Sequence, residues 1–467
     1  MNPFDFVIIG AGPGGESAAN EARARGATVA IVDKDLFGGS CPFWGCIPSK
    51  SLLNAANRHA EGGDYDWARA SARRDYMINR ENRDYPDDTS HVKALEAVGA
   101  TVFRGQARLN GQADRLFKVT VTHDDASHEL EAKNVIMAVG STTKLPPVEG
   151  IEAVRTWTNR DATGARELPR SLLVLGGGPT GVELAQVYAR FGVPVTVVQS
   201  GKRLIPTDHP RNSEAALKAL QRDRVDVRLG VRAIRAEAGA GPDGADVIHL
   251  DNGSTAYGHA ILLAVGRAFP LEPLGLDTVG IDIKDRDAVP HDGRLRIQDG
   301  LFLIGDPGGP ELHTHQAHYQ GQVAVRMALG DQVAPDYRAL PRATYTDPEL
   351  ASVGVTLDDA LAAGLDAFEC VADFPKTAKG YSVEATFGHV TIVIDRSTRE
   401  LIGAAMATPD ASAAIHECVV AIKAHVKVDV LADTIHAFPS TSRIFNGLFD
   451  EAWRELAKGK RDKGKRA

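Results

Sequence analysis

Phe6-Val7-Ile8-Ile9-Gly10-Ala11-Gly12-Pro13-Gly14-Gly15 is the stretch on which the fold of this chain turns. Its apolar run suits a strand buried on both faces. The run passes straight into glycines 10, 12 and 15, a GxGxxG spacing. The first glycine permits a tight turn, the second lets a pyrophosphate approach the backbone, and the third lets helix pack on strand. The helix that follows offers free N–H groups and the positive end of its dipole to phosphates. A second apolar run, Thr28-Val29-Ala30-Ile31-Val32, ends at Asp33, which is placed to bond a ribose hydroxyl. A lone GxGxxG is a common turn; with flanking strands and a terminal acid it reads as a dinucleotide-binding unit.

The pattern recurs. Leu172-Leu173-Val174-Leu175 leads into Gly176-Gly177-Gly178-Pro179-Thr180-Gly181, with the same spacing at 176, 178 and 181, and then into Val195-Thr196-Val197-Val198. Two complete units imply two dinucleotides, and a flavin relaying electrons from a nicotinamide is the natural pairing. At the second ribose position stands Gln199 rather than an acid, with Lys202 and Arg203 close behind. Loss of the carboxylate and gain of cations favours a 2′-phosphate. The small Gly181 points the other way, toward NAD, and the balance leans to NADP(H).

Composition sets the outer bounds. A chain of 467 residues exceeds one core and predicts two or three domains. Its 43% hydrophobic and 24% charged residues are ordinary for a globular protein. A net charge of -8 argues against nucleic acid as a partner. No apolar run is long enough to span a bilayer. No basic leader precedes the first strand, and only four cysteines occur, so the expected compartment is the cytoplasm.

Two of those cysteines, Cys41 and Cys46, lie just past the first unit in Cys41-Pro42-Phe43-Trp44-Gly45-Cys46. They read either as a redox disulfide beside a cofactor or as two buried thiols that never meet. The longer run Gly38-Gly39-Ser40-Cys41-Pro42-Phe43-Trp44-Gly45-Cys46-Ile47-Pro48-Ser49-Lys50 closely resembles the GGTCxxxGCIPSK signature of the class I pyridine nucleotide-disulfide oxidoreductases. Dihydrolipoamide dehydrogenase, glutathione reductase and mercuric reductase belong to that family. The resemblance implies an α/β fold with two Rossmann-like dinucleotide-binding domains plus an α+β C-terminal dimerisation domain. FAD would be bound by residues 1–146 and 268–335, NAD(P)H by 147–267, and dimerisation would fall to 336–455. The basic, glycine-broken end, 456–467, reads as a solvated, disordered tail.

The same resemblance assigns roles. Cys46 would be the flavin-proximal thiol and Cys41 the interchange thiol that meets a small-molecule substrate. Lys50 would sit near flavin N5 with Glu183 as its carboxylate partner. Cofactor contacts are implied at Gly10, Gly12, Gly14, Gly15, Asp33, Gly39, Ser40, Lys50, Ala107, Ala138, Gly140, Ser141, Gly305, Asp306 and His315 for the flavin. For the nicotinamide they fall at Gly176, Gly178, Gly181, Gln199, Lys202, Arg203, Gly266 and Arg267. The histidines around His313-Thr314-His315 lack a supporting Cys or carboxylate set in sequence, so no metal is expected. Cys370 and Cys418 read as structural thiols.

One departure stands out. The family pattern HxHPTxxE supplies a catalytic His and an orienting Glu, whereas this chain reads His436-Ala437-Phe438-Pro439-Ser440-Thr441-Ser442-Arg443. Phe438 and Arg443 fall at the base and its carboxylate, and neither can relay a proton at neutral pH. A Phe at that position is similar to 2-ketopropyl coenzyme M oxidoreductase/carboxylase, which cleaves a thioether. The sequence therefore predicts a homodimeric FAD-dependent oxidoreductase with an atypical sulfur substrate. Reductive thioether cleavage, flavin-only quinone reduction and a degenerate scaffold are the alternatives. Phe43 and Trp44 either shape the substrate site or pack against a helix.

Overall fold

The computed structural model describes residues 2–283 and 295–464. The strand Phe4–Ile9 pairs in parallel with Val29–Asp33 on one side and with Ala126–Met137 on the other. The sheet runs Arg296–Gln298, Leu301–Leu303, Ala126–Met137, Phe4–Ile9, Val29–Asp33, Thr101–Arg104. Val7, Ile8, Ala30 and Ile31 in the central strands are fully buried, which explains their unbroken hydrophobicity. An antiparallel extension, Gln106–Ala113 with Leu116–His123, folds off the long strand Ala126–Met137.

The second sheet repeats the architecture. Asp226–Leu229, Val195–Gln199, Leu172–Leu175, Ala260–Leu263 and Thr156–Trp157 follow one another in parallel. Parallel neighbours need crossovers, and the helix Pro179–Arg190 supplies the one after Leu172–Leu175. A short antiparallel pair, Thr142–Thr143 against Arg267–Ala268, ties together the two chain segments that pass between the sheets.

The third sheet is antiparallel, in the order Arg342–Thr344, Glu349–Gly354, Leu401–Thr408, His389–Asp395, Ala367–Asp373. The helices His416–Lys423 and Ser442–Gly464 pack on it through Cys418, Phe445, Phe449 and Ala452. This is an α/β protein with an α+β C-terminal part.

The last helix corrects one expectation. It continues through Gly464, past residue 456 where the sequence reading begins a disordered tail. Leu456 is buried in the core of the third sheet. Ala457 and Lys458 are good helix formers with no proline to stop them, and a glycine costs a helix only about 1 kcal/mol. Residues 465–467 of that tail lie outside the described residues. Among the described residues no helix is long and apolar enough to cross a membrane.

Candidate active site

The two glycine loops have nearly the same shape. Gly10 and Gly176 adopt φ of +103° and +105°, and a Cβ on them would lie 2.3 and 2.2 Å from the carbonyl oxygens of Ala138 and Ala264. A Cβ on Gly15 or Gly181 would strike the carbonyl of Gly10 or Gly176 at 1.9 or 2.2 Å. Gly178, by contrast, faces open space within 4 Å, and a Cβ on Gly12 would meet only the Gly39 Cα at 3.9 Å. Each loop is therefore pinned at its ends and open at its middle glycine, where a pyrophosphate would approach the start of Pro13–Ala24 or Pro179–Arg190. A Cβ on Gly14 would touch the Ala317 carbonyl at 3.2 Å, so that glycine serves helix packing.

The two ribose-position side chains grip their own loops. Asp33 Oδ2 accepts the Ala11 N–H at 2.6 Å and Oδ1 accepts the Asp35 N–H at 2.8 Å. Burial pushes the Asp33 carboxyl above its usual range, against those hydrogen bonds. Gln199 Oε1 accepts the Gly177 N–H at 3.1 Å, and its Nε2 donates to the Arg203 carbonyl at 3.3 Å. Arg203 donates through Nη2 to the Pro206 carbonyl, while its buried Nη1 has no partner. Lys202 is exposed.

The redox loop sits on the first unit. Gly39 approaches so closely that a Cβ would lie 2.7 Å from the Gly12 Cα. Cys41 lies in the short helix Ser40–Phe43, and Cys46 is the first residue of the helix Cys46–Ala60. Both sulfurs belong to half-buried residues and are thiols in this structure. Cys46 Sγ lies 3.4 Å from Thr314 Oγ1. A hydrogen bond from Cys41 lowers the Cys46 pKa most; Thr314 and the charge on Lys50 add to it, and burial opposes. Cys41 is raised in turn, first by that same hydrogen bond and then by burial. The pair thus holds its negative charge on Cys46, at a helix N-terminus that favours a thiolate.

Lys50 Nζ meets Glu183 Oε2 at 2.7 Å, across helices Cys46–Ala60 and Pro179–Arg190. The other Glu183 oxygen accepts the Tyr345 N–H at 2.9 Å, and Lys50 Nζ stands 4.5 Å from the centre of the Tyr345 ring. Two helices and the segment just after the strand Arg342–Thr344 therefore meet at one ion pair.

Phe43 and Trp44 are not turned into an open site. They pack with Leu36 and Ile78, Phe43 edge-on to His91 and Trp44 against Tyr85. The Trp44 carbonyl accepts from Asn159 Nδ2 at 2.9 Å and Thr163 Oγ1 at 3.0 Å, which anchors the loop between the cysteines.

The crossover residues converge as well. Ser141 Oγ bonds the Asp306 carboxylate and receives Arg267 Nε at 2.8 Å, while Arg267 Nη2 donates to the Ser141 carbonyl at 2.9 Å. Gly140 and Gly266 both face open space, Ala138 donates its N–H to Ile9, and Gly305 donates to Gln320. Ala107 is buried in a strand opposite Val121, two residues past Gly105, whose N–H bonds the Asp33 carbonyl. His315 sends its Nε2 to the Pro341 carbonyl at 2.9 Å, so its side chain is occupied. No group of three or more potential ligands among the described residues could hold a metal ion.

Phe438 stands apart, 73% exposed. With Arg443, Lys379 and Val371 it lines a groove of about 360 Å³ that includes no residue of the redox loop. Arg443 bonds Asn446, and His436 is tied through Nε2 to Glu417 at 2.7 Å and through Nδ1 to the Thr434 carbonyl at 2.9 Å. Thr314, Tyr345, Asn159 and Thr163 carry no sequence signal as site residues; each arrives from a distant segment.

Against known proteins, residues 4–321 match the family described as pyridine nucleotide-disulphide oxidoreductase, and residues 340–448 match its dimerisation domain. The chain belongs to this family. This pyridine nucleotide-disulphide oxidoreductase is 30% identical to dihydrolipoyl dehydrogenase 3 of Haloarcula marismortui, covering 98% of this chain and 97% of that one. It is 32% identical to the dihydrolipoyl dehydrogenase of Chlorobaculum tepidum, over 94% and 95% of the two chains. Among solved structures, LpdA of Mycobacterium tuberculosis superposes with a TM-score of 0.86 at 26% identity, over 97% and 99%. A copper(II) complex of the HOCl-induced flavoprotein disulfide reductase RclA of Escherichia coli gives 0.85 at 25%, over 96% and 99%. The oxidoreductase is thus a flavoprotein enzyme of the FAD and NAD(P)H type, with the family's dimerisation domain at its C-terminus.

Proposed function

We propose that this oxidoreductase moves electrons between NADP(H) and the Cys41–Cys46 pair, and that its substrate is a disulfide or related sulfur compound handled without a C-terminal histidine base. The observation that carries the reading is the position of Cys46. It begins a helix, faces the Thr314 hydroxyl at 3.4 Å and lies within the field of Lys50. That setting keeps one sulfur as thiolate and leaves the proton on Cys41. When bound, FAD supplies two-electron transfer between the nicotinamide and these sulfurs. The first glycine loop, Asp33, Ser141–Asp306 and Lys50 would hold it; the second loop, Gln199 and Arg203 would hold the nicotinamide. Gln199 brings no charge against a 2′-phosphate, and the unpartnered Arg203 Nη1–H supports the NADP(H) preference.

Phe438, exposed in the single chain, suits a contact with the redox loop of a second copy in a homodimer. Reductive thioether cleavage draws its support from Phe438 alone.

Purified protein, loaded with FAD, is titrated anaerobically with NADPH and NADH. The reading expects both thiols to appear after one equivalent of NADPH, with NADPH bound at least tenfold tighter. Cys46→Ser should abolish disulfide reduction and keep FAD. Disulfide reduction that survives Cys46→Ser would leave a flavin-only enzyme.

A further inference from the structure

We infer that Asn159, with Thr163 one helical turn further on, is a positioning residue for the redox pair. The two hold the Trp44 carbonyl, in the loop between the cysteines, and so keep Cys41 and Cys46 in place to close their disulfide. The inference rests on the dithiol chemistry proposed above.

Trp44 follows the helix Ser40–Phe43, and Gly45 precedes the helix Cys46–Ala60. The peptide joining Trp44 to Gly45 therefore sets where Cys46 begins. Trp44 is 6% exposed, and its buried indole Nε1–H has no hydrogen-bond partner among the described residues. The ring is held without a hydrogen bond, against Tyr85 and the Arg160 guanidinium, each 5.5 Å away. The polar hold on this peptide falls to its carbonyl. Asn159 Nδ2 donates to that oxygen at 2.9 Å. The Thr163 hydroxyl lies 3.0 Å from it and shares its single proton with the Asn159 carbonyl at 2.7 Å. Asn159 Oδ1 accepts in turn from Arg267 Nη1 at 3.4 Å, the arginine that grips Ser141.

The clamping residues are themselves fixed at both ends of their helix. That helix, Asn159–Gly164, follows the edge strand Thr156–Trp157 of the second sheet, and at six residues it is too short to persist alone. At its start Thr158 and Asp161 form a capping box, with the Asp161 carboxylate accepting the Thr158 N–H at 2.7 Å. At its end Arg74 bonds the Thr163 carbonyl and reaches the Ala165 carbonyl at 3.1 Å. Arg80 Nη2 donates to the Gly164 carbonyl at 2.8 Å. Both guanidiniums are buried and share Asp75. Burying two cations carries a large desolvation cost, and what they hold rigid is the donor pair on the Trp44 carbonyl.

Closing the disulfide orders residues 42–45 as well as joining two sulfurs, and ordering each backbone residue opposes closure. In the structure both cysteines are thiols and the carbonyl between them is already held. A loop held there loses less freedom on closing, so the clamp raises the equilibrium constant for disulfide formation. Without the clamp the dithiol gains freedom that the covalently closed ring does not share. With oxidised dithiothreitol as the acceptor, the enzyme dithiol gives up two electrons and two protons. The S–S bond of the acceptor breaks as the Cys41–Cys46 bond forms, and dithiothreitol leaves carrying both protons.

The FAD-loaded enzyme is equilibrated anaerobically in mixtures of reduced and oxidised dithiothreitol. Free thiols are then trapped with N-ethylmaleimide and assigned to Cys41 and Cys46 by mass. Asn159→Asp keeps the size of the side chain and its acceptor for Arg267 but cannot donate to Trp44. Its closure constant should fall about tenfold, equivalent to about 30 mV. Thr163→Val should fall by more than roughly threefold, whereas Thr163→Ser, which keeps the hydroxyl, should match the wild type. A fall of threefold or less in Asn159→Asp would overturn the inference. So would Thr163→Ser falling as far as Thr163→Val, because the loss would then follow the methyl group and not the hydrogen bond. If Asn159→Asp does not fold, Thr163→Val decides by the same threefold limit. A wild type in which Cys41 and Cys46 never convert together from thiols to a disulfide would instead remove the dithiol chemistry itself.

Discussion

Asp33 and Gln199 do the same structural work in two copies of one fold. Each closes its glycine loop from the end of the neighbouring strand, Asp33 at the Ala11 N–H and Gln199 at the Gly177 N–H. The shared contact explains why a neutral amide can stand at a position usually read as acidic: loop closure needs an acceptor, and charge is free to vary with the coenzyme.

Gln199→Glu keeps that acceptor and adds a negative charge. NADPH should bind at least tenfold more weakly, about 1.4 kcal/mol, while NADH binds equally well or better. Coenzyme titration by fluorescence measures both. An unchanged ratio would show that Gln199 does not face the 2′-position.

Thr314→Val removes the hydroxyl at Cys46 Sγ, and the pH at which the Cys46 thiolate appears should rise, read from ultraviolet thiolate absorbance of the reduced protein. The sign for stability follows. Cys46 is lowered in the folded state, so its contribution is complete above the unfolded thiol value of about 8.5 and is lost as pH falls through the folded value. Cys41 is raised, so stability falls again above about 8.5. Denaturant midpoints of the reduced protein should therefore peak near that pH, and the acid-side slope should shrink in Thr314→Val.

Arg74 is fully buried and holds Asp75 at 2.8 Å, the Ala165 carbonyl at 3.1 Å and the Thr163 carbonyl. Thr163 in turn holds the Trp44 carbonyl. Arg74→Ala strands the Thr163 and Ala165 carbonyls while Asp75 keeps Arg80 and Arg166, and should cost roughly 1–3 kcal/mol, measured by urea unfolding. Iodoacetamide should also reach Cys41 faster, because the loop anchor loosens.

Phe438→His with Arg443→Glu should raise turnover of an alkyl disulfide by tenfold or more, since an imidazole–carboxylate pair would then reach the site from the partner. Either single substitution should fall short of that gain. Failure of the double variant, with its dimer and FAD intact, would place Phe438 away from the dithiol.

Much of this was legible along the chain because its causes are local. A glycine loop between a buried strand and a helix must carry glycines where backbone meets backbone, and residues 10, 15, 176 and 181 declare that at fixed spacing. The Cys41–Lys50 stretch declares a redox loop in the same way. Contacts between segments have no such spacing. Nothing in the order of residues says that Thr314 will stand 3.4 Å from Cys46, 268 positions away, or that Tyr345 will complete the Lys50–Glu183 pair. The aromatic pair Phe43–Trp44 was undecided in sequence because a bulky ring serves a core and a substrate pocket equally well; Leu36, Ile78, Tyr85 and His91 settled it by enclosing them. The hold of Asn159 on the Trp44 carbonyl went unseen as well, since 115 positions separate them and only the packing of the first two sheets brings them together. The sequence determined the backbone shapes that bind nucleotides; tertiary packing decided where the protons can go.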